Sequence, residues 1–191
     1  MVGLRPLLHQ EDKTVVPYQT RKAEAVIPAL FQGFIRRQVV TKCWRKEQGQ
    51  WVIRDAPFLD DWTEEDYAVL ISCLRHTLQT GGVVFAAFQD GVLKGFASVE
   101  PELFGGEQRY LDLSSLHVSQ DMRGKGIGSQ LFGMARAWAR EHGAAKVYIS
   151  AHSAVESQRF YRKMGCVEAA VYHPGHVEAE PFDCQLECPV K

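Results

Sequence analysis

Apolar and polar residues alternate most regularly in the second half of the chain. Val83–Phe88 and Val92–Val99 are apolar runs flanking Asp90-Gly91, both of which tolerate positive φ, so the pattern predicts a tight β-hairpin. Arg109–Val118 reads as a third strand with a bulge near Ser115. Leu131, Ala135, Trp138 and Ala139 recur with helical spacing over Ser129–His142, and Gly143 stops that helix. Lys146–Ala151 predicts a short buried strand. Ser153 and Glu156 have the S-x-x-E spacing of a capping box, opening a second helix that Gly165 ends. Cys166–Tyr172 and Phe182–Cys188 read as closing strands. Strands, helix, strand, helix, strands describe an α/β chain with a mixed sheet.

The first half is less regular. The first twenty residues, with Pro6 and Pro17, predict surface chain or a short first strand. Leu30, Phe31, Phe34 and Ile35 have helical spacing, with Arg36 and Arg37 following. Val39–Arg45 and Gln50–Arg54 read as a hairpin around K-E-Q-G, with Trp44 and Trp51 on its arms. The stretch R-D-A-P-F-L-D-D-W reads as a loop leading to a helix start at Thr63, capped by Asp66. Tyr67, Leu70, Ile71, Leu74 and Leu78 then form one helical face that Gly81-Gly82 stops.

The 191 residues, 46% of them hydrophobic, support one domain with a sizeable core. The formal net charge of −1 argues against a nucleic-acid binder that needs a broad basic face. No run reaches the apolar length of a membrane span, and acidic residues arrive too early for a signal peptide. Five cysteines without C-x-x-C spacing read as reduced thiols of a cytoplasmic protein, and Cys184 and Cys188 as core-facing residues.

Chemistry concentrates in S-Q-D-M-R-G-K-G-I-G-S, between the third strand and its helix. A helix N-terminus presents unpaired N–H groups and the positive end of its dipole. Gly124, Gly126 and Gly128 permit a tight turn and close approach of phosphate oxygens, and Arg123 and Lys125 add positive charge. The triphosphatase loop G-x-x-x-x-G-K-[ST] is absent. The Rossmann loop needs G-x-G-x-x-G and an acid on the next strand, whereas this loop is G-x-G-x-G and K-V-Y-I-S-A has no acid.

With L-H-V before the loop, R-G-K-G-I-G within it and S-Q-R-F-Y-R-K-M-G-C downstream, the chain resembles the GCN5-related N-acetyltransferase (GNAT) superfamily from roughly Val83 to Cys188. The resemblance implies a mixed, mostly antiparallel central sheet with flanking helices. It makes the chain a single domain, with residues 1–82 on the acceptor side and 83–188 as the acetyl-CoA-binding core. It implies transfer of an acetyl group from acetyl-CoA, the co-substrate, to a primary amine. A non-catalytic acetyl-CoA sensor or scaffold is the alternative. By position, Leu116, His117 and Val118 would lie along the pantetheine arm, with the Leu116 N–H polarising the thioester carbonyl. Arg123, Gly124, Lys125, Gly126, Ile127, Gly128 and Ser129 would hold the pyrophosphate. Tyr161, beside Phe160, would reprotonate the leaving thiolate. Many family members carry a cofactor-contacting asparagine seven residues before this tyrosine. Here that residue is Ala154, with Ser153 and Ser157 nearby as substitute donors.

The attacking amine must be neutral, so a base is needed. An acid stands at the position of Asp112 in aminoglycoside-modifying members, which makes it the first candidate; Glu100 is second and His117 third. Trp44, Trp51, Trp62, Asp60 and Asp61 are candidates for an acceptor pocket suited to a cation, although packing of Trp44 and Trp51 across their hairpin explains those two more simply. His173 and His176 lack a third ligand for a metal and read as a loop near the acceptor. The partner is therefore a small-molecule amine or peptide, with no nucleic acid, membrane or metal, and C-terminal edge strands are compatible with a homodimer.

Overall fold

The computed structural model describes residues 16–191. Strand β1 (Tyr18–Thr20) follows, as the short first strand the sequence allowed. The apolar spacing of Leu30–Ile35 does not produce an α-helix. A 3-10 turn over Pro28–Phe31 ends before Gly33, which sits at φ +84°, where a helix cannot continue. Phe31 and Phe34 are nevertheless buried, beneath the sheet.

The hairpin is longer than its sequence pattern. β2 (Arg37–Glu47) and β3 (Gln50–Asp61) turn on Gln48-Gly49, both at positive φ, and β3 absorbs the segment read as a loop. The register slips between Val40↔Phe58 and Lys42↔Asp55, leaving an extra residue in β3 around Ala56-Pro57. A bulge there tolerates proline, which has no N–H for the ladder. Helix α1 (Glu64–Gln79) then starts on a complete Thr63–Asp66 capping box.

Strands β4 (Val83–Gln89) and β5 (Val92–Val99) form the expected Asp90-Gly91 hairpin. The single strand read over Arg109–Val118 is two: β6 (Tyr110–Asp112) and β7 (Ser115–Val118). Helix α2 (Ile127–Glu141), strand β8 (Lys146–Ala151) and helix α3 (Val155–Lys163) follow in the expected order. The Ser153–Glu156 capping box does not form. Ala154 is the N-cap, and the Ser153 hydroxyl instead accepts a bond from Arg45 Nη1 at 2.8 Å. The strand expected over Cys166–Tyr172 shrinks to β9 (Val167–Glu168), and the chain enters an unanticipated short helix, α4 (Pro174–Ala179), before β10 (Cys184–Pro189).

Two four-stranded sheets result, ordered β1-β4-β5-β7 and β6-β8-β10-β9; their pairs are antiparallel except β6–β8. One apolar core lies under α2 and α3 and holds Phe85, Ala97, Leu111, Leu113, Ile149, Leu186 and Tyr161. A second, between the first sheet and α1, holds Phe31, Phe34, Leu74, Leu93 and Phe96. Cys184 and Cys188 face the first core as expected, and the described cysteines are all free.

Helix α2 sits tightly on β5. A Cβ on Gly95 would stand 2.7 Å from Ile127 Cγ2 and 3.0 Å from Leu131 Cδ1, in the first turn behind the glycine loop. Gly95→Ala should therefore destabilise the fold by about 1–3 kcal/mol through overpacking. Exposed Gly133 on the same helix has no atom within 4 Å of an added Cβ, so Gly133→Ala should stabilise it by about 0.8–1 kcal/mol. Urea midpoints of the two variants, moving in opposite directions, check both.

Candidate active site

The site begins where the chain changes sheets. Leu113 N–H donates to Tyr148 O at 2.9 Å, and beyond it β7 pairs only with β5. Ser119 N–H donates to Lys94 O at 2.9 Å, so period-2 alternation turns the N–H and C=O groups of Leu116 and Val118 away from β5, towards β8. A cleft thus opens between β7 and β8 with an unpaired backbone edge. Its apex is held by hydroxyls. Ser114 Oγ lies 2.8 Å from Ser98 Oγ and donates to Glu100 Oε1 at 2.6 Å, and Thr77 Oγ1 donates to the same oxygen at 2.6 Å.

At the end of β7 the glycine loop forms a cradle. Gly124 and Gly126 have φ +77° and +85°, and an added Cβ at either would meet no atom within 4 Å. These glycines are required by backbone conformation, and the space beside them is open. The N–H groups of Gly124 through Ser129 have no backbone partner; Gln130 is the first to donate, to Gly126 O at 3.1 Å. A Cβ added at Gly128 would meet the Phe160 ring and Val118 at 3.4–3.5 Å, so the cradle, β7 and α3 converge. Arg123 is folded back, donating through Nε to Val118 O at 3.3 Å, and Lys125 Nζ lies against Met122 Sδ at 3.3 Å. This arrangement fits a diphosphate on the loop and an amide-bearing arm along β7.

Tyr161 is buried against Phe132 and Phe160, and its hydroxyl makes no hydrogen bond to another described residue. Burial, with smaller contributions from Cys166 and Asp183, raises its pKa, so its proton is retained at neutral pH. Ser153 is committed to Arg45 and to the N–H of Trp44, and Ser157 is half-buried on α3. Ala154, at the position where the resemblance implied an asparagine, is fully buried and forms a β-bridge with Cys43, so the β2–β3 arm covers that position.

The face of the sheets turned away from α2 carries the remaining candidates. Leu111, Leu113, Ala97 and Val99 point to the α2 core, which puts Asp112, Ser98 and Phe96 on the opposite side. Asp112 Oδ2 binds His176 Nε2 at 2.7 Å; its Oδ1 is buried without a partner. His117 lies between Trp62 (ring centroids 4.8 Å) and Phe96 (5.2 Å). Burial and then the charges of Arg36 and Arg123 push its pKa down to about 3, so it is an uncharged ring and a poor proton acceptor. Trp62 also carries the Arg36 guanidinium 5.1 Å above its ring, and Arg36 binds Asp60 at 2.5 Å. Trp44 and Trp51 do not join this group: Trp44 stacks under Arg162, and the Trp51 indole donates to Glu168 at 2.9 Å. Asp61 pairs with Arg37 at 3.7 Å on the outer strand end. His173 accepts the N–H of His176 as the α4 cap, and no cluster of three or more metal-ligating side chains occurs among the described residues.

Three features of this face had not been expected from the sequence: Arg36 over Trp62, the buried Asp183, and the pairing of His176 with Asp112. Only His176 had a local signal, in Y-H-P-G-H. Asp183 lies ahead of β10, 3.5 Å from Ser150 Oγ. Burial, then Glu180, pushes its pKa up to about 6, against the pull of Ser150, His176 and Arg45.

A family model described as acetyltransferase (GNAT) family matches residues 46–166. No curated protein matches the chain. Among solved structures, a nourseothricin acetyltransferase is 20% identical with a TM-score of 0.62, over 92% of this chain and 99% of its own. A Bacillus anthracis (strain Ames) protein assigned as a streptothricin acetyltransferase, solved with acetyl coenzyme A, is 13% identical with a TM-score of 0.67, over 91% and 96%. The PaiA N-acetyltransferase from Thermoplasma acidophilum, solved with coenzyme A, is 13% identical with a TM-score of 0.56, over 92% and 99%. These similarities establish a shared fold. No helix among the described residues is long and apolar enough to cross a membrane.

Asp183 gives the site a pH-dependent stability. Its folded pKa of about 6 lies above the ordinary 3.8, so the native state holds the proton more tightly than the unfolded chain. The stabilisation is complete below about pH 4 and is lost as pH rises through about 6. Asp183→Asn should therefore gain on the wild type by about 1–2 kcal/mol between pH 4 and pH 7.5, less than the full shift because the group is partly exposed. Thermal melts of both proteins at the two pH values measure this; equal differences at both would contradict it.

Proposed function

Because the chain belongs to the acetyltransferase (GNAT) family, we propose that it transfers an acetyl group from acetyl-CoA to a primary amine by direct attack. The observation that carries this reading is the cleft between β7 and β8, which runs to the open N–H groups of the glycine loop at the start of α2. Acetyl-CoA would lay its pyrophosphate on the N–H groups of Gly124–Ser129. Its pantetheine amides would pair with the free backbone of Leu116 and with Val118, whose carbonyl Arg123 Nε would have to release. The Leu116 N–H would then bond the thioester carbonyl as negative charge develops on it. Tyr161 is the acid: its pKa is raised, so it keeps its proton until a thiolate forms beside it. Thioester activation supplies the acyl group, and the protein orients it and excludes competing water.

The acceptor enters from the face opposite α2, where Glu100, Asp112, His176 and Trp62 lie. His117 is set aside as a base by its low pKa. The neighbours named for nourseothricin and streptothricin place such antibiotics in the first acceptor panel, with spermidine, tryptamine and glycinamide.

Released thiol is the readout. Wild type should turn over at least one panel amine, and Tyr161→Phe should lower kcat by about 100-fold while acetyl-CoA still shifts its melting temperature. Unchanged turnover in Tyr161→Phe would remove the acid assignment. Acetyl-CoA binding without turnover of any amine would favour a non-catalytic module. Gly126→Ala, forced to φ +85°, should weaken the acetyl-CoA thermal shift without abolishing folding.

A further inference from the structure

Asp112 stands where a base is expected, but its carboxylate does not face the cleft. Oδ2 is held by His176 Nε2 at 2.7 Å and Oδ1 is sealed off from solvent without a partner. Of the two side chains His176 is the more open, 29% exposed against 13%. Its ring is stacked on Tyr148, with centroids 5.9 Å apart and planes 24° apart. Tyr148 and Asp112 are register partners on the last closed rung before the cleft, and Leu113, the next residue, donates to the Tyr148 carbonyl. Helix α4 thus places an imidazole over the apex of the cleft, on the acceptor face, with one nitrogen engaged by a carboxylate. The backbone N–H of His176 donates to His173 Nδ1 at 3.3 Å, which fixes the turn that presents the ring.

We propose that His176 is the general base that takes the proton of the acceptor amine, and that Asp112 is a positioning residue that orients the imidazole. This rests on the acetyl-transfer reading above. With Nε2–H donated to Asp112, the Nδ1 lone pair is the receiving site. The amine nitrogen attacks the acetyl carbonyl carbon; the C–N bond forms and the C–S bond breaks. The amine proton passes to His176 Nδ1, and the departing thiolate takes the proton of Tyr161. His176 then releases its proton to solvent and Tyr161 regains one, so the cycle closes without any other reactant.

The groups facing His176 are Asp112 from β6, Tyr148 from β8, His173 from its own helix and Asp183 from the segment ahead of β10. The hydrogen bond to Asp112 raises its pKa, burial opposes that, and the charges of Asp112 and Asp183 add to the rise. Loss of the Asp112 charge must therefore lower it.

The test uses the full chain, acetyl-CoA and the panel amine that wild type turns over fastest. His176→Gln should lower kcat by about 100-fold with the acetyl-CoA thermal shift intact. The ratio of wild-type to His176→Gln turnover, in which the ionisation of the amine cancels, should rise with pH and level off above the pKa of His176. In Asp112→Asn, the ratio to Asp112→Asn/His176→Gln should rise at lower pH than in the wild-type background. A ratio independent of pH, or a midpoint unmoved by Asp112→Asn, overturns the assignment, and so does unchanged turnover in His176→Gln. Absence of wild-type turnover on every amine overturns the acetyl-transfer reading instead, and this inference with it.

Discussion

Between Leu113 and Ser115 the chain exchanges two-sided for one-sided pairing: β8 is lost, while the β5 side, where Asp112 O already accepts the Glu100 N–H at 2.9 Å, continues. Leu113 still donates to Tyr148, whereas Ser115–Val118 pair with β5. Unpaired backbone groups in a dry interior cost about 1–3 kcal/mol each, so the edge left by this exchange must stay open to water or meet a substrate that carries its own amides. Everything else around the site is arranged to keep that edge in place. Ser98, Ser114, Thr77 and Glu100 hold the kink through hydroxyl bonds, and Gly95 lets α2 settle on β5 so that its free N–H groups lie at the end of the cleft. Removing the strand exchange would leave the glycine loop an ordinary helix start with no substrate arm to continue from it.

What the sequence made legible follows from the range of the interactions involved. The β4–β5 hairpin, α1 and β8 depend on local period and turn chemistry, and the structure places them within a residue or two of where the pattern put them. The first half departs wherever a distant partner overrode a local preference. Leu30–Ile35 keeps its apolar residues buried but not helical, because Gly33 turns the chain and Ile35 N–H is claimed by Ser119 Oγ at 3.0 Å. Ser153 had the spacing of a cap, but the β2–β3 arm reaches it first through Arg45 and Trp44. The cysteine-led segment after Gly165 keeps only Val167–Glu168 as a strand, and a helix capped by His173 follows it.

The candidate site divides along the same line. The donor side was readable because a phosphate cradle is made by contiguous residues: glycines at positive φ followed by a helix N-terminus. The proposed acceptor side draws on Arg36, Asp60 and Trp62 of one region, Asp112 and His117 of another, and His176 and Asp183 of a third. Asp112 and His176 are 64 residues apart, and no spacing rule joins them. Asp112 could be singled out as an acid on a strand. That its carboxylate was already occupied could not.

The two histidines on the acceptor face are shifted in opposite directions, and their positions say how an amine would be received. His117 lies beside Arg36 and Arg123, whose positive charges, with burial, keep it neutral. His176 lies beside Asp112 and Asp183, which favour its charged form. On the proposed reading, a protonated amine would be attracted towards the carboxylates of Asp112 and Asp183, whereas the Asp60 carboxylate at the other end is already paired with Arg36. The glycine cradle lies at the far end of β7 from Asp112, so the negative groups of an amine's binding region and those of a diphosphate are kept apart. An ammonium group drawn to the apex must still lose a proton before attack. The imidazole held there is shifted upward by the same carboxylates that draw the ammonium in, so the proton acceptor rises together with the amine it must deprotonate. On the reading proposed above, attraction of the acceptor and the proton affinity of its base are therefore set by one charge arrangement, and a change in those carboxylates moves both.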